Sequence, residues 1–348
     1  MDGVFMRRVA LVIGGGAFGT SMSSILANNF EQVIVEVRSN DVYQALKRGE
    51  NSVYLPGISL SKRIEPALGS LQVLDLLGDR YPEIIVFALP TKAITCYLTE
   101  HVDYINSFLK RGIPLVSLSK GLDSSSLQLP DDLFWEFCQE YQDQVTFLSG
   151  PSFAQEILEE QITMVSIAGR SRRTLLDVTS MMQTNFFKLL PTYDIKGLLL
   201  GGALKNVLAI AGGIVEGQGF NHNTRAALIT AGITEMLKFG VVFNARPETF
   251  YGFSGMGDLI LTTTGQLSRN KWFGLQIGRG GNPQEIIESQ RRVIEGYQTT
   301  KAVQSLAERY EIKSRIFTGV YKVLYEGCDP KDVIDDLMRF SSKINFLF

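Results

Sequence analysis

A doubly wound α/β domain with a mainly parallel sheet, followed by an all-α domain, is the architecture this sequence predicts. Three observations carry it. From residue 7 to about 190, short β-rich apolar runs alternate with segments of helical character, as successive βαβ crossovers require. The first run ends in GGGAFG, a glycine-rich turn that leads into a helix-like stretch. After Pro191 the β-branched runs stop, and stretches rich in Ala, Leu, Gly, Glu and Lys take over.

A chain of 348 residues exceeds what one core usually serves, so residues 1–192 and 193–348 are expected to form separate domains. The expected strands of the first are Arg8–Ile13, Gln32–Val37, Glu83–Leu89, Pro114–Leu118, Val145–Leu148, Met164–Ala168 and Phe187–Leu190. Runs such as IIVFAL are apolar at every position, as strands covered on both faces by helices should be. The second domain is expected to carry helices near 195–216, 223–240, 268–279, 283–289, 298–310, 315–327 and 330–341. Asp329-Pro330 suits the start of the last, with a capping acceptor before a proline in the first turn.

Composition excludes several classes. Lys plus Arg number 34 against 36 Asp plus Glu, a net charge of −2, so no global basic field gathers nucleic acid or acidic lipid. The cysteines, Cys96, Cys138 and Cys328, are scattered without a CxxC pair, which argues against a disulfide framework or a zinc ribbon and fits a reducing cytoplasm. With His101 and His222 as the only histidines, neither a metal site nor a His-centred triad is expected. The N-terminal apolar run is too short for a signal peptide. The apolar stretch GLLLGGALKNVLAIAGGIVE is long enough to span a membrane, but its central Lys205 would cost about 2.5–3.5 kcal/mol on insertion. No integral membrane segment is expected.

The first strand runs into Gly14-Gly15-Gly16-Ala17-Phe18-Gly19, a GxGxxG pattern. Its first glycine permits a tight turn, the second lets backbone approach a pyrophosphate, and the third lets helix pack on strand. The helix N-terminus then offers amide donors to the phosphates, which points to a dinucleotide. At the end of the second strand, QVIVEVRSN, an acid would hold a ribose 2′-hydroxyl and an arginine would accommodate a 2′-phosphate. If Val37 points into the sheet, Glu36 and Arg38 share a direction, with Arg38 beyond the strand. That favours NADP over NAD, against the alternative that Arg38 is a solvated surface charge. Further strands end in Ser119-Lys120-Gly121 and Ser149-Gly150-Pro151-Ser152, where ligands of open α/β sheets bind, with a surface lysine at a helix start as the plain alternative for Lys120.

Lys205 lies in a nearly uncharged helix, with Gly201, Ala209 and Gly212 on its face. Such small residues leave room for a second backbone or a ligand. A lysine stem crossing the core to water is the plain alternative. Downstream, GMGD is expected to form a turn with an exposed Asp258 carboxylate, and both Asp258 and Ser268 suit helix N-caps. Arginine and asparagine together at a helix start, as in Ser268-Arg269-Asn270, would also suit a phosphate.

Read together, IGGGAFGT, SLSKGL, LSGPSFAQE, GGALKNVLAIAGG, NTRAALITAG, GMGDLILT, LSRN and VIEGYQTTKAV resemble the NAD(P)-dependent sn-glycerol-3-phosphate dehydrogenases of bacteria and eukaryotic cytosol. The blocks follow family order from residue 13 to about 303. The resemblance implies a Rossmann-like N-terminal domain, an all-helical C-terminal domain, and a catalytic cleft between them. It implies Lys205 as proton donor or acceptor, with Lys120 and Asp258 against the substrate. Gly150 and Ser152 would contact substrate, and Ser268, Arg269 and Asn270 would hold its phosphate. Gly14, Gly16, Ala17, Phe18, Gly19, Arg38, Lys120, Ala154, Arg269, Val293 and Glu295 would form the cofactor site for NADP or NAD. The small-molecule substrate would be dihydroxyacetone phosphate or sn-glycerol 3-phosphate, serving glycerophospholipid synthesis, in a cytoplasmic homodimer. Glu36 departs from the family pattern, where an aromatic or apolar residue is common.

In that chemistry, hydride reaches C2 of the ketone while a positioned ammonium protonates its oxygen. The reverse direction needs a neutral Lys205, and so a pKa below the ordinary value of about 10.4, lowered by burial or by Lys120. Two rivals share the glycine turn. A dinucleotide-sensing regulator would need a DNA-binding element, which the sequence lacks. A two-domain reductase of a hydroxyacid or ketopantoate would not call for the SRN and GDL blocks.

Overall fold

The computed structural model describes residues 8–289 and 294–338. The chain divides into two units, one of residues 1–120 and 128–199, the other of residues 121–127 and 200–348.

The first unit is built on one sheet. In chain order it contains β1 Val9–Ile13, α1 Ala17–Asn29, β2 Gln32–Val37, α2 Asn40–Lys47, β3 Glu50–Asn51, β4 Leu55–Ser59, β5 Ile64–Leu68 and α3 Ser70–Leu77. Next come β6 Ile84–Phe87, α4 Ile94–Leu109, β7 Leu115–Ser117, α5 Pro130–Phe137, β8 Val145–Ser149, α6 Ala154–Leu158, β9 Thr163–Gly169, α7 Arg172–Met182 and β10 Phe187–Thr192. Eight strands lie in the order β10-β9-β8-β7-β6-β1-β2-β5. All neighbours are parallel except β8 and β9, which run antiparallel. The glycine-rich turn therefore leaves β1 beside the edge-ward pair β2 and β5. The residues of β1 are all buried, because helices cover both faces of a parallel sheet.

Every expected strand is present with its ends moved by at most two residues, but β3, β4 and β5 were not foreseen from the pattern. Their sequences, EN, LPGIS and IEPAL, hold charge, proline and glycine instead of an apolar run. Pro66 is tolerated because β5 is an edge strand, paired through Val35 and Pro66 on one side alone.

Helix α8, Ile195–Gly217, starts in the first unit and runs through the second. It is followed by α9 His222–Val242, α10 Pro247–Tyr251, a π turn at Phe253–Gly257, α11 Asp258–Thr264, α12 Arg269–Gly278 and α13 Pro283–Ser289. Then come α14 Glu295–Arg309, α15 Arg315–Tyr325 and α16 Pro330–Met338. The end of the helix expected to residue 341 lies outside the described residues. Among them, α8 is the one helix long and apolar enough to cross a membrane, and its apolar window is wholly buried within the protein.

Backbone contact explains the small residues of α8. A Cβ on Gly213 would fall 2.0 Å from the Lys271 carbonyl oxygen, and one on Gly274 would fall 2.0 Å from that of Ile210. Helices α8 and α12 thus cross with their main chains touching, which only glycine allows. Likewise a Cβ on Gly201 would sit 2.6 Å from the Ser254 carbonyl oxygen, so the π turn fills that side of α8. Of the two occupants the sequence left open beside Lys205, a second backbone takes the Gly201 position.

Candidate active site

The carboxyl ends of β1, β7 and β8 gather one group of residues. Gly14 turns the chain at φ +109°, and its N–H donates to the Glu36 carbonyl at 2.9 Å. A Cβ on Gly14 would meet the Ala88 carbonyl at 2.8 Å, and one on Gly19 would meet the Gly14 carbonyl at 2.0 Å. Around Gly16 nothing lies within 4 Å of the missing Cβ. The loop is therefore packed where turn and helix need it, and open where a pyrophosphate would approach. Helix α1 begins there with no side-chain cap and no acid in its first turn, leaving its amide donors and positive end to an anion. These features fit a dinucleotide.

Asn51 supports this loop and escaped the sequence reading. Its side chain is fully buried, and its amide donates to the Gly15 carbonyl at 3.0 Å and to Thr20 Oγ1 at 2.7 Å. A single asparagine on a two-residue strand carries no periodic signal that could have marked it.

Phe18, Ala17 and Ala154 are partly buried, and the Ala154 carbonyl accepts from Ser21 Oγ at 2.8 Å, which ties the start of α6 to α1. Lys120 Nζ stands 5.8 Å from the Phe18 ring centre and donates to the Gly150 carbonyl at 3.3 Å. Ser152 Oγ donates to the same carbonyl at 2.9 Å. Thus Phe18, Lys120, Gly150, Ser152 and Ala154 are brought together in the first unit.

Arg38 and Glu36 part company. Arg38 is exposed just past β2, while Glu36 is buried, with its carboxylate accepting from the Tyr97 hydroxyl at 3.0 and 3.1 Å. Burial raises the Glu36 pKa above its ordinary value, and the hydrogen bond from Tyr97 opposes that rise. Val37 faces the other way, against Gly15, whose Cβ would fall 2.5 Å from Val37 Cγ1.

The second unit holds the other group. Lys205 is 6% exposed and Asp258 1%, and their Nζ and Oδ1 atoms are 2.6 Å apart. The expectation of an exposed, helix-capping Asp258 was wrong. The π turn feeds directly into α11, so Asp258 is the first residue of a helix whose N-cap is Gly257, and the turn presses it into the core against α8. The main-chain oxygen of Asp258 accepts from Thr262 Oγ1. Lys205 does not cross the core to water, since it ends on a buried carboxylate.

Asn206, the next residue on α8, is also buried; its Oδ1 accepts from Asn270 Nδ2 at 2.9 Å, and its own amide nitrogen has no partner among the described residues. Asn270 Oδ1 in turn accepts from the Gly296 N–H at 3.0 Å, which ties α12 to the start of α14. Ser268 caps α12 as expected, its hydroxyl accepting from the Lys271 N–H at 3.2 Å. Arg269 is exposed on the first turn of that helix, and Glu295 is partly buried at the first residue of α14. Val293 lies outside the described residues. The unpartnered Asn206 amide was within reach of the sequence, because it adjoins Lys205, but nothing in the pattern singled it out.

The chain matches two family models: the N-terminus of NAD-dependent glycerol-3-phosphate dehydrogenase over residues 9–175, and the C-terminus of the same over residues 194–335. It is 39% identical over 329 residues to a Leptospira biflexa protein described as glycerol-3-phosphate dehydrogenase using NAD(P)+, covering 94% of this chain and 96% of that one. A Myxococcus xanthus protein of the same description is 37% identical over 335 residues, covering 95% and 97%. Among solved structures, glycerol-3-phosphate dehydrogenase from Coxiella burnetii superposes with a TM-score of 0.87 at 29% identity, covering 96% of this chain and 99% of that one.

Proposed function

Because this chain belongs to the NAD-dependent glycerol-3-phosphate dehydrogenase family, we propose that it interconverts dihydroxyacetone phosphate and sn-glycerol 3-phosphate, using NAD(H) or NADP(H). The observation that carries the reading is the buried pair of Lys205 and Asp258, 2.6 Å apart, beside an Asn206 amide that has no partner among the described residues. A core with no chemical task has little reason to bury an ammonium, a carboxylate and an unmet donor side by side.

The residues around Gly14, Gly16 and Gly19 would hold the dinucleotide pyrophosphate, with Phe18 and Ala154 beside them. When bound, the nicotinamide supplies hydride to the ketone carbon or takes it from the alcohol carbon. Lys205 then has the proton to move: as negative charge grows on the carbonyl oxygen, its ammonium stabilises that oxygen and protonates it. Asp258 fixes the ammonium in place through a hydrogen bond to its carboxylate. The unpartnered Asn206 amide is a donor that a substrate hydroxyl or carbonyl can use. Arg269, exposed at the positive end of α12, is proposed to bind the phosphate. The assembly as a homodimer and a place in the cytoplasm belong to the same proposal; a light-scattering mass of one chain would contradict the first.

The direct test mixes the purified protein with NADPH or NADH and dihydroxyacetone phosphate, and follows the loss of reduced-nicotinamide absorbance. Turnover that depends on the phosphate, absent with dihydroxyacetone itself, supports the assignment. Binding of the dinucleotide without turnover of any triose would favour a sensor over an enzyme.

A further inference from the structure

The end of β2 offers two side chains that read a ribose in opposite ways, and the fold separates them. Glu36 stands opposite Ile13 in the β1–β2 register, and its carbonyl receives the Gly14 N–H, so it adjoins the first turn of the glycine loop. An acid at this point ordinarily binds the ribose hydroxyls of NAD and repels the 2′-phosphate of NADP. Here the carboxylate is turned under α4 and is only 6% exposed, with both oxygens within 3.1 Å of the Tyr97 hydroxyl.

Tyr97 is itself held on both sides. Its ring stacks on His101 at 4.4 Å and 9°, and meets the Phe87 ring edge-on at 5.5 Å. Helix α4 departs from helical geometry at His101, with φ −127° and ψ 18°, and His101 Nδ1 lies 3.0 Å from the Tyr97 carbonyl. That local distortion sets the imidazole flat against the phenol. Arg38, two residues beyond Glu36, is exposed.

We propose that Tyr97 and Glu36 form a selectivity lock: the Tyr97 hydroxyl keeps the Glu36 carboxylate beneath α4, so that Arg38 alone faces the adenosine ribose and the 2′-phosphate of NADP(H) is accepted. Tyr97 is a positioning residue in this arrangement, since it acts through Glu36. The proposal rests on the dinucleotide-dehydrogenase reading above, and it concerns only the ratio between two cofactors.

The test measures Kd for NADPH and for NADH by their fluorescence on binding, which needs no turnover, alongside the ratio of kcat/KM values. In Tyr97→Phe the carboxylate loses its donor and is released toward the strand end. The preference for NADPH over NADH then falls on the order of tenfold, a fraction of the repulsion between a carboxylate and a phosphate near a protein surface. Adding Glu36→Gln to that variant restores the original ratio. Glu36→Gln alone leaves the ratio within about twofold, because an amide beneath α4 can still accept from Tyr97. An unchanged ratio in Tyr97→Phe would overturn the lock. If Tyr97→Phe does not fold, Glu36→Gln decides: a gain in NADPH preference of about fivefold or more would show that Glu36 already faces the ribose, and would overturn it too. Failure of the unaltered protein to bind either dinucleotide would instead overturn the dehydrogenase reading itself.

Discussion

Asp258→Ala removes one partner of a buried ion pair and leaves the other in place. Lys205 has a side chain only 8% exposed, and its Nζ sits 2.6 Å from Asp258 Oδ1. With the carboxylate gone, the buried ammonium loses the counter-charge that accepts its hydrogen bond. Breaking a buried pair in this way typically costs about 3–5 kcal/mol. Asp258→Asn keeps an acceptor oxygen at the same place and loses only the charge, so its cost is smaller, about 1.5–3 kcal/mol for a charge-assisted hydrogen bond. Replacing both members, as in Lys205→Met with Asp258→Leu, removes both desolvation penalties and recovers most of the loss. Equilibrium urea unfolding of the three variants, followed by tryptophan fluorescence and circular dichroism together, gives the order Ala, then Asn, then the double replacement, from least to most stable. An Asp258→Ala protein within about 0.5 kcal/mol of the original would refute the reasoning, since that is the effect expected of an exposed residue.

Asn51→Ala removes the donor shared by Gly15 and Thr20 and loosens the glycine loop, so the Kd for NADPH rises about tenfold while kcat at saturating cofactor holds; a titration showing an unmoved Kd contradicts this. Glu235 is buried and accepts from Ser314 Oγ at 2.7 Å and from the N–H groups of Arg315 and Ile316 at 2.7 and 3.0 Å, capping α15 from α9. Glu235→Ala strands those donors and costs about 3 kcal/mol or more in the same urea assay, while a loss under about 1 kcal/mol would refute the capping role. Burial pushes the Cys138 thiol from its ordinary 9.0 up to about 12. The folded protein then keeps a proton that the unfolded chain gives up, so Cys138 adds stability below pH about 9 that is lost as pH rises toward about 12. Cys138→Ala should therefore flatten the alkaline limb of the stability profile, and a thiol reagent at pH about 8 should modify exposed Cys96 well before Cys138.

Much of this was legible in the sequence, for reasons that differ by residue. The parallel sheet shows itself because buried strands must be apolar at every position, and the glycine loop because three backbone demands fall at fixed spacing. Lys205 stood out because an ammonium in an apolar helix is costly. What the pattern hid was set by tertiary contact. The edge strand β5 contains proline and a charge, which only its place at the sheet margin permits. Asp258 looked like an exposed turn residue because glycines precede it, whereas the π turn uses those glycines to drive it inward; a Cβ on Gly255 would fall 2.2 Å from the Phe250 carbonyl oxygen. Glu36 and Arg38 share a direction in an ideal strand, and it took a tyrosine some sixty positions away to bury one of them.

The central claim is that Lys205 moves the proton. Single-turnover reduction of dihydroxyacetone phosphate by protein preloaded with reduced cofactor measures that step apart from product release. Lys205→Ala should slow it by on the order of 100-fold or more while the Kd for the cofactor stays within about twofold. A single-turnover rate close to that of the unaltered protein would contradict the account.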